Sequence, residues 1–166
     1  MAINSYVKFD GIKGDSTAKG HEDQIEVFSW SHGFSQPTSA TRSGAGAGTV
    51  EQANHSNFSF TKFTDSSTDD LLKACWNGKQ IKEVIVACYR ADGSNENQPV
   101  KYLEVKMEQV IVSNFSVSGG AGDLPVENVS LDYGIVTYTY LPQKRADGSA
   151  GGQEVVKHDL TTRQVA

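Results

Sequence analysis

Residues 55–78 read HSNFSFTKFTDSSTDDLLKACWNG, and the two halves of this stretch carry different periodicities. In the first half Phe58 and Phe60 alternate with Ser59 and Thr61, the period of two that turns one face of a strand into a core. In the second half Leu71, Leu72, Cys75 and Trp76 recur at three- and four-residue spacing, which makes one helical face apolar. Thr68 is placed to cap that helix, since its hydroxyl can accept a hydrogen bond from a free backbone N–H of the first turn. Asp69 and Asp70 follow, where negative charge meets the positive end of the helix dipole. Gly78 ends the helix, because the left-handed conformation beyond its last turn costs glycine least. The stretch predicts a core strand followed at once by a structural helix over about residues 68–77. Burying Leu72 or Phe60 should contribute roughly 1.5–3 kcal/mol each.

Outward from this centre the chain reads as strands and turns. Val7 and Phe9 face inward in a first strand over 6–9. The segment QIEVFSWSHG (24–33) is a strand whose parity slips, with Ile25 and Val27 odd but Phe28 and Trp30 even, as at a bulge or a bend between sheets. A strand over 81–89 is apolar on both faces. Leu103, Val105 and Met107 alternate in the next, and a further strand covers 110–117. Parity switches again near Gly134, between Val129, Leu131, Tyr133 and Val136, Tyr138, Tyr140, which marks a bulge site. A final strand covers 154–160. Residues 36–49 (QPTSATRSGAGAGT) lack apolar periodicity and form a long loop, a kind that is usually functional or disordered. The expected fold is mainly β: a closed barrel or two-sheet sandwich with one flanking helix, in a single domain spanning 1–166.

Composition agrees. The chain has 166 residues, 16 of them glycine, with 37% hydrophobic residues, which suits short strands and polar turns better than a helical bundle. A net charge of −5 argues against nucleic acid as a partner. No window reaches membrane-spanning length and no signal-peptide core opens the sequence, so synthesis and folding in a cytoplasm are expected. Cys75 and Cys88 lie outside any C-x-x-C pair and read as reduced, buried thiols.

Motifs for chemistry are missing their essential parts. RSGAGAGT (42–49) is glycine-rich but lacks the Gly-Lys-Ser/Thr ending and a following helix, so it does not read as a phosphate loop. His21, His32, His55 and His158 have no metal-ligand spacing, and DGSNEN (92–97) misses the calcium-loop pattern. GFSQP (33–37) is not a nucleophile elbow. The sequons at Asn54, Asn57, Asn114 and Asn128 read as chance products of Ser- and Asn-rich strands. No catalytic residue, cofactor or metal is expected. A carbohydrate-binding sandwich using Trp30, Trp76 and tyrosines is an alternative, as is a small hydrolase, disfavoured without a nucleophile–base pair.

Several segments, in order along nearly the whole chain, resemble the Hcp family, the tube subunit of bacterial type VI secretion systems. They are FSWSHGFSQP (28–37), FSFTKFTDSST (58–68) running into LLKAC-x-x-G (71–78), and KYLEVKMEQVIVSNFS (101–116) with its trailing SGG. ENVSLDY (127–133) and TYTYLPQKRADGS (137–149) complete the set. The family often has proline after the capping threonine, where this chain has Asp69, also a good first-turn residue.

The resemblance implies a β-barrel with a flanking helix, assembled as a homohexameric ring around a wide channel, an architecture shared with phage tail-tube proteins. Its implied partners are further copies in stacked rings, a spike, a contractile sheath and baseplate, and small effectors in the channel. It implies assembly in the bacterial cytoplasm and then secretion by the type VI machinery, without insertion into a membrane. Some members carry an appended toxin domain; here the last strand is followed closely by Ala166 and none is expected. Between strands, the polar stretches 36–49 and 92–97 should protrude and are candidates for ring stacking. The residues concerned are Arg42, Ser43, Gly44, Ala45, Gly46, Ala47 and Gly48, with Asp92, Gly93 and Asn95 in the second turn.

Overall fold

The computed structural model describes residues 5–38, 52–90, 99–142 and 151–166. In chain order the elements are β1 (Ser5–Phe9), β2 (Ile25–Val27), β3 (Ser29–Ser31), β4 (Phe34–Ser35), β5 (Asn54–His55) and β6 (Phe58–Phe63). Then follow α1 (Thr68–Asn77), β7 (Ile81–Arg90), β8 (Val100–Ser118), β9 (Val126–Asp132), β10 (Ile135–Tyr140), β11 (Glu154–Asp159) and β12 (Gln164–Val165).

Two layers of antiparallel strands share one element. The first runs β12-β11-β10-β8-β7-β1-β2, and the second joins β3, β6 and β9 to the far end of β8. The expected strands over 100–107 and 110–117 are therefore a single 19-residue strand. Its first half pairs with β10 and its second with β9. The corner falls at Gln109, whose φ of 56° is left-handed. Gly134 sits against that corner: a Cβ there would lie 2.7 Å from Gln109 Oε1. The parity switch at Gly134 is thus the passage from β9 to β10, between layers, rather than a bulge within one strand.

The slip at Phe28 has the same cause. β2 pairs with β1 and β3 pairs with β6, so the chain changes layers within one residue. At this edge the circuit is carried by the covalent chain and not by a ladder. The sheets are not closed into a barrel, which corrects that half of the expectation; the two-sheet half stands.

The core lies between the layers, where Val7, Phe9, Phe58, Phe60, Val84, Val86, Val129 and Leu131 are all buried. The helix packs against β8 and turns Leu71 and Ala74 inward. Leu72 and Cys75 are only partly covered, and Trp76 is 79% exposed, so Trp76 does not belong to the packing face. With a turn of 3.6 residues, 71, 74 and 75 make the inner stripe and 76 lies about 100° beyond 75. The cap also differs. Ser67 is the N-cap and makes no side-chain capping bond, while Thr68 is already helical. Asp69 and Asp70 do occupy the first turn, and Gly78 ends the helix at φ 65° with its N–H bonded to the Ala74 carbonyl. Cys75 and Cys88 are free thiols, the second buried.

Candidate functional site

The loop residues expected to stack rings, Arg42 to Gly48 together with Asp92, Gly93 and Asn95, lie outside the described residues. Their stem does not. β4 and β5 pair antiparallel, Phe34 with His55 and Ser35 with Asn54, so the segment 36–53 leaves and returns at this two-stranded base. Gly33 and Ser56 fasten its foot: the Ser56 amide donates to the Gly33 carbonyl at 2.9 Å, and the Gly33 amide donates to Ser56 Oγ at 2.8 Å.

Beside the stem runs a chain of five hydrogen-bonded rings. The Tyr138 hydroxyl meets His32 Nδ1 at 2.5 Å, and His32 Nε2 meets the Tyr133 hydroxyl at 2.7 Å. Tyr133 also meets His55 Nδ1 at 2.6 Å, and His55 Nε2 meets His158 Nδ1 at 2.8 Å. The stem contributes His55, the end of β3 leads into His32, β10 and β11 contribute Tyr138 and His158, and Tyr133 stands between β9 and β10. Phe34 closes over the cluster, edge-on to His32 and His55. Burial pushes the His32 imidazolium down to about 4, helped by the neighbouring His55. Burial also lowers His55, with His158 as the second cause. The Tyr133 hydroxyl is raised, and that of Tyr138 is pushed up to about 12, both chiefly by burial. Among the described residues no group of three His, Cys, Asp or Glu side chains is arranged to hold a metal ion. The hydrogen bonds orient these rings and fasten the stem residue His55 to Tyr133 and His158.

Sequence reasoning met these histidines singly and took them as unconnected. No local signal connects them: the partners of His55 lie 78 and 103 residues away in the sequence and are brought together by strand pairing.

Two exposed apolar areas flank these features. Next to the cluster, Phe34, Val136, Val156 and Val165 line a depression of about 380 Å³ that His55, Tyr138 and His158 complete. At the edge formed by β3 and β6, Phe28 and Phe63 touch with ring centroids 5.0 Å apart beside the exposed Leu124. Asp15, Glu26 and Asp65 rim this second area.

Under the helix N-terminus lies a buried ionic knot. Lys62 occupies the third inward position of β6 after Phe58 and Phe60, and faces Glu127 across the ladder. Both side chains are fully buried, and Lys62 Nζ lies 2.9 Å from Glu127 Oε1 and 2.9 Å from Asp65 Oδ1. Thr68 donates its hydroxyl to the Glu127 carboxylate at 2.9 Å and accepts the Asp65 amide at 3.2 Å. Ser67 bonds Asp65 Oδ1 through both its amide and its hydroxyl. The knot fixes where α1 begins, so Thr68 acts as a tie to β9 instead of a cap.

The features just described serve packing, tethering and exposed contact, which is the makeup of a structural assembly protein. Residues 6–140 match the family described as type VI secretion system effector, Hcp. Hcp1 of Pseudomonas aeruginosa is 39% identical over 165 residues, covering 99% of this chain and 98% of that protein. Among solved structures, one described as a type six secretion system protein superposes with a TM-score of 0.89 at 27% identity, covering 99% of this chain and 100% of the other. Hcp1 from Salmonella typhimurium gives a TM-score of 0.79 at 27% identity over the whole of both chains. The chain belongs to the Hcp family. It is a structural tube subunit of a type VI secretion system, and not an enzyme.

Proposed function

We propose that this subunit assembles as a homohexameric ring around a channel, that rings stack into the inner tube, and that small effectors travel inside it. The observation that carries the ring is the pair of unlike apolar areas. A closed ring with more than two members needs a heterologous contact, one patch meeting a different one, and contiguous exposed apolar surface on a soluble chain marks a contact site. The Phe28–Phe63–Leu124 area and the Phe34–Val156–Val165 area are two such surfaces, at the edges of different sheets. Spike, sheath and baseplate are the further partners of the stacked tube, which forms in the bacterial cytoplasm and leaves through the machine. A free carbohydrate-binding module is less well supported, because Trp30 is stacked on Phe58 at 5.4 Å, and among the described residues no second ring stands beside the exposed Trp76 to complete a platform.

Native mass spectrometry should give about six times the chain mass of 17.9 kDa. Phe63→Asp should break the ring into smaller species, and Trp76→Ala should leave it intact. A wild-type monomer at high protein concentration would overturn the ring.

The stacking role rests on residues 36–49 and 92–97. Small residues from Ser43 to Gly48 let backbones approach closely, and Arg42 offers a charge to the adjoining ring. Ordering a glycine-rich segment costs roughly 1–2 kcal/mol per residue fixed, which would keep free rings from polymerising before they are nucleated. Shortening Ser43–Gly48 should leave hexamers intact and abolish tubes and secretion. Normal secretion by the shortened protein, or loss of its hexamers, would contradict this role.

A further inference from the structure

The five-ring chain beside the stem satisfies itself in only a few protonation states. A neutral histidine has one donor nitrogen and one acceptor nitrogen, and a tyrosine hydroxyl can give one hydrogen bond and receive another. The sequence Tyr138–His32–Tyr133–His55–His158 then fits with every donor pointing the same way along it. One added proton can be housed, by reversing the donors on one side of the charged ring. A second cannot: either His55 and His158 present N–H to N–H across 2.8 Å, or the buried Tyr133 hydroxyl loses its acceptor. Either outcome leaves a buried polar group unmade, which is costly in a site of low polarity.

Among the described residues no counter-charge relieves this. From β3 the chain receives His32, from the stem His55 and Phe34, from β10 Tyr138, and from β11 His158. The turn between β9 and β10 brings Tyr133, with Asp132 adjacent. The Asp132 carboxylate is engaged by the Tyr133 amide at 2.9 Å. Asp159, next to His158, is engaged by Thr161. Among the described residues, no carboxylate accepts a hydrogen bond from His32, His55 or His158.

The cluster also sits where its state matters. His55 belongs to β5, Phe34 to β4, and their partners belong to the body. We propose that the chain Tyr138–His32–Tyr133–His55–His158 is a proton-sensitive clasp that docks the β4–β5 stem on β10 and β11 while its histidines are neutral, and releases the stem in acid. The ligand that regulates this site is the proton. In the assembled tube the clasp fixes the base of the segment proposed above to stack rings, so its effect on stacking rests on that reading, whereas the release itself does not.

The sign follows from linkage. A histidine held neutral in the docked state and free to ionise when undocked takes up a proton on release, so docking weakens as pH falls below the free value of about 6.5. The weakening runs down to the docked value, about 4 for His32, and is complete below it. Docking is strongest, and independent of pH, above about 7.

Hydrogen exchange followed by mass spectrometry on intact rings between pH 7.5 and 4.5 tests this, after correction for the intrinsic pH dependence of exchange. Peptides covering Phe34 and His55 should lose at least tenfold of their protection from pH 7 to 5, while those of α1 and β7 keep theirs. His55→Gln keeps a donor and an acceptor near the centre but cannot ionise in this range, and His158→Gln does the same at the half-buried end of the chain. Either variant should flatten the profile. Unchanged protection at the stem of the wild type at pH 5 would overturn the clasp without recourse to any variant, as would a wild-type profile retained in both variants. Electron microscopy of tubes at the same pH values separates the two readings. A stem that opens in acid while tubes persist leaves the clasp standing and removes the stacking role from 36–49.

Discussion

Lys62→Met should destabilise the protein by about 3–5 kcal/mol, the cost of removing one partner from a fully buried ion pair. Nothing in the fold lets the remaining charge escape. Glu127 is wholly buried on β9, directly opposite position 62, with Thr68 as its other partner. Asp65 would lose the same cation and keep Ser67. Adding Glu127→Leu to Lys62→Met should recover much of the loss, because paired replacement by apolar groups of similar volume removes both desolvation penalties. Urea denaturation of the single and double variants reads this as a coupling free energy. Protein concentration must be held fixed, since subunit assembly adds to apparent stability. Two single effects that simply sum in the double variant would mean that the pair is not coupled. The knot also locates α1, so the Lys62→Met variant should lose exchange protection first in the turn 65–68.

Leu71→Ala should cost about 2–5 kcal/mol, the range for truncating a fully buried leucine. Leu71 is 0% exposed and belongs to the main core cluster with Phe60, Val112 and Val129. Its neighbours provide the contrast that makes the experiment decisive. Leu72→Ala should cost clearly less, because that side chain is only partly covered. Trp76→Ala should fall within about 0.5 kcal/mol of wild type, as expected for an exposed position away from any special feature. A Leu72 effect larger than that of Leu71 would mean that the helix is rotated about its axis relative to the one described.

Much of this fold was legible along the chain. Alternation at Val7 and Phe9, and at Phe58 and Phe60, correctly gave inward faces, because a strand's side chains alternate whatever the strand pairs with. The parity slip at Phe28 marked a true change of sheet, since a residue's inward or outward sense reverses where the chain crosses between layers; the slip at Gly134, expected as a bulge, has the same cause. Gly78 was readable because termination is local backbone chemistry. The family was legible too, through motifs spread over most of the length.

Other features depended on what arrives from elsewhere. Whether Leu71 or Leu72 is innermost, and whether Trp76 is covered, depends on the rotation of the helix against β8, which spacing within the helix does not fix. Thr68 has the right chemistry for a cap, but Glu127, 59 residues later in the sequence, takes its hydroxyl. Lys62 sits in the inward phase after Phe58 and Phe60, and only Glu127 and Asp65, met in the folded chain, account for a buried lysine there. The ring chain is the extreme case: His32, Tyr133, His55 and His158 share no local spacing, and pairing across two sheets brings them within hydrogen-bond distance. Sequence by itself determined the inward faces of the core strands and the end of the helix at Gly78, because those follow from short-range geometry. Tertiary structure alone decided which polar groups meet, because a buried polar side chain is defined by its partners, and here those partners lie on other strands.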